Sequence, residues 1–268
     1  VHVTTRLEGN VALVTGSTRG IGEGVAHRLA AEGASVVVTG RTREDGEAVA
    51  AAIRDDGGHA EFVRADMRDP DDIAALVEAT VEAYGGLDVL VNNAGVQTET
   101  GADDASIDDW EFVVETDFRS YWLTAKHAAA AMTDGAIVNV SSNHAFLTMP
   151  DLFPYNAVKA GINGMTRAMA LDFGPSIRVN TVNPGWIAID RTLEGMDDDY
   201  RERLASNHPV GRIGTPEDVA GPVAFLASDD AAFVTGAHLT IDGGRSAVMQ
   251  DDQLPDYRER RDELEADA

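Results

Sequence analysis

The feature that most constrains this chain is a repeated unit: a short valine-rich run, a tight turn, then an amphipathic stretch of helical length. The first run is Asn10-Val11-Ala12-Leu13-Val14-Thr15. It is followed by Gly16-Ser17-Thr18-Arg19-Gly20-Ile21-Gly22, with Val25, Leu29 and Ala30 at helical spacing up to Gly33. Apolar runs recur over 35–39, 60–65, 87–91, 136–140 and 177–182, and helical patterns over 44–56 and 69–84. Asp69 is placed as an N-cap and Pro70 as the first helical residue. Strands that alternate with helices pair in parallel, because each crossover carries a helix across one face of the sheet. The expectation is an α/β fold with a doubly wound parallel sheet of about seven strands and helices on both faces, in one domain spanning 1–268.

Strand, glycine-rich turn and helix form the context in which backbone can approach a pyrophosphate at a helix N-terminus. A tight turn that binds nothing is the plainer reading. On the first, Gly16, Thr18, Arg19, Gly20, Ile21 and Gly22 are candidate cofactor contacts. An acid at the end of the second strand would suit the ribose hydroxyls of NAD, and there is none. Arg41 stands there instead, with Arg19 and Arg43 near, a set suited to a 2′-phosphate. Arg41 and Arg43 are otherwise solvated turn residues. The cofactor expected is NADP(H) in preference to NAD(H). Asp66 and Met67 end the third strand where an adenine would lie, with helix capping as the alternative for Asp66. The fourth strand runs into Asn92-Asn93-Ala94-Gly95, a tight polar turn.

Charge narrows the partners. Twenty-one Lys and Arg face 46 Asp and Glu, a formal net charge of −25, and the acids run along the whole chain. Lys126 and Lys159 are the two lysines. The pattern is that of a protein from a salt-loaded cytosol, where surface repulsion is screened. With no basic stripe, nucleic acid is not an expected partner. There is no cysteine, no paired spacing among the seven histidines, no charged-then-apolar leader and no apolar run long enough for a bilayer. The expectation is a cytoplasmic protein without a metal or membrane, acting on a small alcohol or carbonyl compound.

Tyr155 and Lys159 are four residues apart, one helical turn, on one face. A fixed ammonium beside a phenol favours the phenolate, which makes the pair a candidate proton donor and acceptor. By itself the pair is also an ordinary amphipathic one. Ser142 follows the run 136–140, at the end of a strand where open α/β sheets hold ligands.

Thr15-Gly16-x-x-x-Gly20-Ile21-Gly22, Asn92-Asn93-Ala94-Gly95, Ser142, Tyr155-x-x-x-Lys159 and Asn183-Pro184-Gly185 occur in this order. Together they resemble a short-chain dehydrogenase/reductase, over residues of about 7–245, with 246–268 an acidic tail. The resemblance implies a Rossmann-type fold and a set of roles. Gly16, Gly20 and Gly22 border the pyrophosphate. Asn92 braces the central strand and nears a cofactor ribose, and Asn93, Ala94, Gly95, Pro184, Gly185 and Ile187 are further cofactor contacts. Tyr155 is the general acid or base, Ser142 hydrogen-bonds the substrate oxygen, and Lys159 holds the nicotinamide ribose. The family carries an Asn in its long helix, here over 109–131, which holds a water beyond the lysine; Asp117 occupies that position. As a carboxylate it accepts hydrogen bonds but donates none. Ile189 replaces a usual Thr.

Asn143, His144 and Trp186 fall by position at the substrate, with Ser142 and Tyr155; His144 is equally a loop histidine. Residues 190–212 match the family's substrate lid. In relatives the helix over 153–173, with Val158, Ile162, Met165 and Met169 on its apolar face, joins a dimer interface; a face buried within one chain has the same pattern. A homodimer or homotetramer is implied. Asn143 and His144 favour a sugar or polyol as substrate. A 3-oxoacyl thioester reductase is the alternative, and a cofactor-binding sensor without turnover is a third.

Overall fold

In the computed structural model, which describes residues 5–194 and 196–248, the valine-rich runs lie side by side between two layers of helices. Strands β1 (Val11–Val14), β2 (Ser35–Gly40), β3 (His59–Arg64), β4 (Val89–Asn92), β5 (Gly135–Val140), β6 (Ile177–Pro184) and β7 (His238–Ile241) form one parallel sheet. Their order is β3-β2-β1-β4-β5-β6-β7. The chain therefore winds outward from β1 to β3, returns to the centre, and winds the other way from β4. Such a reversal opens a crevice at the carboxyl ends of β1 and β4.

Every residue of β1 is buried, as a strand covered on both faces requires. Alternate side chains go to opposite layers. Ala12 and Val14 pack with Val25 and Leu29 of α1 (Gly20–Ala31), Ile53 of α2 (Arg43–Asp55) and Val223 of α9 (Pro216–Ala227). Leu13 packs with Ile73 and Leu76 of α3 (Pro70–Tyr84), Ala125 of α5 (Ser120–Ala131) and Met169 of α6 (Tyr155–Asp172). The start of α3 is as the sequence indicates: Asp69 caps it by accepting the Asp71 N–H, and Pro70 sits in the first turn.

Three regions go beyond the sequence reading. The long helix begins as α4 (Ile107–Val113), behind a capping box of Ser106 and Asp109. It then passes through a π-helical turn, Val114–Arg119, before continuing as α5. Hydrophobic periodicity carries no mark of that turn. The apolar face of α6 is turned into its own chain, with Ile162 fully buried and Val158 and Met169 nearly so, which is the second of the two readings its spacing allows. The segment 190–212 carries two short helices, α7 (Asp190–Leu193) and α8 (Asp198–Ser206). Arg212, just beyond them, makes a two-pronged bridge to Asp218 of α9, at 2.5 and 2.7 Å. Residues 249–268 of the expected acidic tail lie outside the described residues. Among the described residues no helix is long and apolar enough to cross a membrane.

Candidate active site

The turn after β1 is locked to its neighbours by hydrogen bonds that need specific residues. Thr15 Oγ1 accepts the N–H groups of Asn93 (2.9 Å) and Ala94 (3.0 Å). Asn93 Nδ2 donates to the carbonyls of Thr15 and Gly16, both at 3.0 Å. That leaves no space for side chains: a Cβ on Gly16 would lie 2.7 Å from Ala94 Cα, and one on Gly22 2.4 Å from Asn93 Nδ2. Gly16 is also at φ 61°, where glycine is favoured. The N-cap of α1 is Arg19, whose side chain accepts no backbone N–H, so the first donors of the helix have no capping side chain over them.

These elements wall a cavity of about 260 Å³. Gly16, Thr18, Arg19, Gly20, Ile21 and Gly22 line it, as do Arg41, Asp66, Met67, Asn93, Ala94, Gly95, Asp117, Tyr155 and Lys159. Among the described residues, Arg19 and Arg41 have neither an ion pair nor a side-chain hydrogen bond. Arg43 is spent elsewhere, on Glu47 at 3.4 Å and over the Phe62 ring. Capping of α3 belongs to Asp69, while Asp66 Oδ1 accepts the Arg68 N–H at 3.0 Å. Asn92 is fully buried and absent from the cavity wall; it donates to Tyr121 O (3.2 Å) and Asn139 Oδ1 (2.9 Å), which braces β4 against β5. The steric cradle, the open helix end and two unpaired arginines fit a dinucleotide with phosphate groups.

Helix α6 is set in rotation by a buried polar seam. Asn139 Nδ2 donates to Thr166 Oγ1 (2.9 Å), Thr166 bonds Thr181 (2.6 Å), and Ser141 Oγ donates to the Lys159 carbonyl (2.8 Å). Tyr155 and Lys159 consequently share the face toward the crevice. Lys159 Nζ lies 2.9 Å from Asp117 Oδ2, 3.3 Å from the Val140 carbonyl and 5.4 Å from the centre of the Tyr155 ring. Burial alone pulls an ammonium pKa down, but the charge of Asp117 and the phenols of Tyr121 and Tyr155 outweigh it and hold Lys159 above its ordinary range. Asp117, also fully buried, accepts the Val96 N–H on Oδ1 at 2.8 Å. A carboxylate serves the amide with one oxygen and the ammonium with the other; an asparagine has a single acceptor oxygen for the two. At 2.9 Å the contact is direct, with no room for a water between the charges.

Beyond Tyr155 lies a second cavity of about 560 Å³. Ser142, Asn143, His144, Tyr155 and Trp186 line it, as their positions in the sequence indicate. Ser142 Oγ accepts the His144 N–H at 3.1 Å, and the imidazole stands 6.0 Å from the Tyr155 ring. Burial pushes the His144 pKa below its ordinary value. Pro184, Gly185 and Ile187, expected at the cofactor, line this second cavity with Tyr155. Ile189 lines both cavities; its N–H donates to Thr192 Oγ1 at 3.0 Å. Sequence reasoning missed Glu99, Met149, Asp151 and Leu152, all on this wall, while Tyr200 comes from the segment 190–212 expected as a lid. An isolated parallel bridge between Thr100 and Leu152 brings their two segments together, and no motif announces it.

A family model described as Enoyl-(Acyl carrier protein) reductase matches residues 16–246. A solved short-chain dehydrogenase/reductase from Serratia marcescens superposes with a TM-score of 0.86 and 37% identity, covering 90% of this chain and 99% of that one. The chain belongs to the short-chain dehydrogenase/reductase family. It is 42% identical to cis-4-hydroxycyclohexanecarboxylate dehydrogenase of Sinomonas cyclohexanicum, over 89% of this chain and 97% of the relative. It is 37% identical to a 3-oxoacyl-(acyl-carrier-protein) reductase of Thermotoga maritima, over 89% and 98%. As a short-chain dehydrogenase/reductase it is an oxidoreductase acting on CH–OH groups with a nicotinamide dinucleotide, and Tyr155 is the side chain its two cavities share with the chemistry to move a proton.

Proposed function

We propose that this enzyme interconverts a ring-borne secondary alcohol and its ketone, with NADP(H) preferred over NAD(H). The observation that carries the reading is Tyr155, which lines both the arginine-bearing cavity and the larger one beyond it. The bound dinucleotide supplies or takes the hydride. Tyr155 gives the substrate oxygen a proton in reduction and removes it in oxidation. Ser142 hydrogen-bonds that oxygen. Lys159, held charged by Asp117, stands beside the Tyr155 ring, where it would hold the nicotinamide ribose. Arg19 and Arg41, without partners among the described residues, suit a 2′-phosphate.

Met149, Leu152, Trp186 and Ile187 give the larger cavity apolar surface suited to a ring, and a relative named for a cyclohexane alcohol supports this. Asn143 and His144 on the same wall favour a second reading, a sugar or polyol. A screen of cyclohexanols, aldoses, polyols and 3-oxoacyl thioesters with each cofactor, beside Tyr155→Phe, tests both. Turnover of ring alcohols with NADP, lost in the variant, is the expected result. Thioester turnover alone would replace the proposal with the acyl reductase reading, and cofactor binding without any turnover would favour a sensor.

The charge of −25 supports work in a salt-rich cytoplasm. The thermal midpoint should fall from molar KCl to dilute buffer; an unmoved midpoint would defeat that reading. A homodimer or homotetramer, burying exposed side chains such as Trp122 and Leu171, is testable by light scattering in high salt.

A further inference from the structure

Charge separates the two cavities that meet at Tyr155. Among the described residues, the wall of the larger one carries Glu99, Asp151 and Glu194, and no lysine or arginine. None of the three pairs with a cation. On a chain with 46 acids, unpaired carboxylates are ordinary, so their presence decides nothing alone.

Their placement says more. Glu99 and Asp151 immediately precede the bridged residues Thr100 and Leu152. The Phe153 N–H donates to the Thr100 carbonyl at 3.0 Å, and Thr100 Oγ1 donates to the Phe153 carbonyl at 2.8 Å, which fixes the two segments in register. Two carboxylates are thereby carried on two loop segments held side by side. Asp151 also sits at φ 63°, the one non-glycine at positive φ among the described residues.

A second observation points to a ligand. Asn143 lines the same cavity, is only 7% exposed, and its side-chain amide has no hydrogen-bond partner among the described residues. Open to the cavity, its donors and acceptor are available to a polar ligand group. The nearby imidazole adds no compensating charge, because burial disfavours its protonated form.

We propose that the larger cavity selects a ring alcohol or ketone bearing an ammonium group, ranks an uncharged one below it, and disfavours one bearing a carboxylate. Glu99, Asp151 and Glu194 set the charge preference, and Asn143 meets a polar group of the ligand. The proposal rests on the reading of this cavity as the substrate site. It sets this enzyme apart from its Sinomonas relative, which is named for a carboxylate-bearing substrate.

The test is calorimetric binding of three matched probes to the full chain with NADPH, at the lowest salt at which the fold persists. The probes are trans-4-aminocyclohexanol, cyclohexanol and trans-4-hydroxycyclohexanecarboxylate. Affinity should fall in that order, by about tenfold between the ends, as three charges at a solvated mouth would give. The order should compress in molar KCl, where the Debye length is only about 3 Å. It should flatten in the triple variant Glu99→Gln, Asp151→Asn, Glu194→Gln and persist in the remote variant Glu61→Gln, Glu78→Gln, Glu82→Gln. The salt response of the unaltered enzyme serves if the triple variant does not fold. Equal or reversed affinities, no binding of any probe, an order untouched by the triple variant, or equal flattening by the remote one would overturn the proposal. Turnover of the same probes is read separately: binding in the expected order without turnover defeats the proposed function and leaves the charge preference standing.

Discussion

The cavity over the glycine turn and the cavity beyond Tyr155 share a wall but are made differently. The first is built mainly from strand ends and backbone: Thr15, Gly16, Asn93 and Ala94 are tied by four short hydrogen bonds between the loops after β1 and β4. Arg19, Arg41, Arg68 and Lys159 give it its cations. The second is built mainly from side chains on connecting segments, and its unpaired charges are carboxylates. A site made of backbone can change little without changing the sheet. A site made of loop side chains can be rewritten residue by residue, so one scaffold can keep its cofactor while it changes its substrate.

The strongest way to break this comparison is Tyr155→Phe. Turnover should fall about a thousandfold, within the range for loss of a general acid or base, while cofactor and substrate still bind. Near-native turnover, measured in steady state, would remove Tyr155 from the mechanism; loss of both binding events would mean the cavities are not separable. Asp117→Asn should be next. Breaking a buried ion pair by removing one charge costs about 3 kcal/mol or more in a denaturant melt. The sign of its pH effect follows from the held-up Lys159 pKa: without Asp117 the ammonium loses its proton at lower pH, so the alkaline limb of the rate profile moves down. A limb that stays in place would show that Lys159 does not depend on Asp117.

Arg41→Ala sharpens the comparison on the cofactor side. It should weaken NADPH by about tenfold, the scale of one charge-assisted hydrogen bond, and leave NADH and the substrate KM alone. Equal weakening of both cofactors would refute the 2′-phosphate assignment. The smallest effect belongs to the bridge behind the substrate wall. Hydrogen bonds from Arg212 hold the Asp218 pKa at about 2, below its ordinary 3.8. A depressed carboxylate contributes stability above its unfolded pKa and loses it as pH falls through the folded one. Asp218→Asn should cost about 1 kcal/mol near neutrality, since the pair is partly solvated, and nothing well below pH 2, where the carboxyl is protonated in the folded protein too. A difference that persists in acid would point to a lost cap on α9 rather than a lost charge.

The same contrast explains what could be read without coordinates. Gly16 and Gly22 were legible because backbone crowding leaves no alternative to glycine there. Tyr155 and Lys159 were legible because helical spacing alone puts them together. Asp117 could be located along the chain, but its direct hold on Lys159 depends on a π turn that hydrophobic spacing does not encode. Glu99 and Asp151 meet through one isolated bridge between loops, which leaves no period or motif behind. Pro184, Gly185 and Ile187 are legible as lining the crevice at the end of β6, where they stand with Tyr155.

The π turn Val114–Arg119 bears on how this protein can change over generations. Such a turn holds one residue more than the regular spiral needs, and it is less favourable than the α-helix it interrupts. A deletion of one residue between 114 and 116 would let the helix heal. It would also rotate α4 against α5 by about 100°, the angle of one helical residue, at the junction that carries Asp117. On the proposed function, the repaired chain would have the more regular helix and the poorer catalyst. Selection for thermal robustness and selection for turnover therefore pull this one turn in opposite directions, and its persistence in a lineage would record which of the two prevailed.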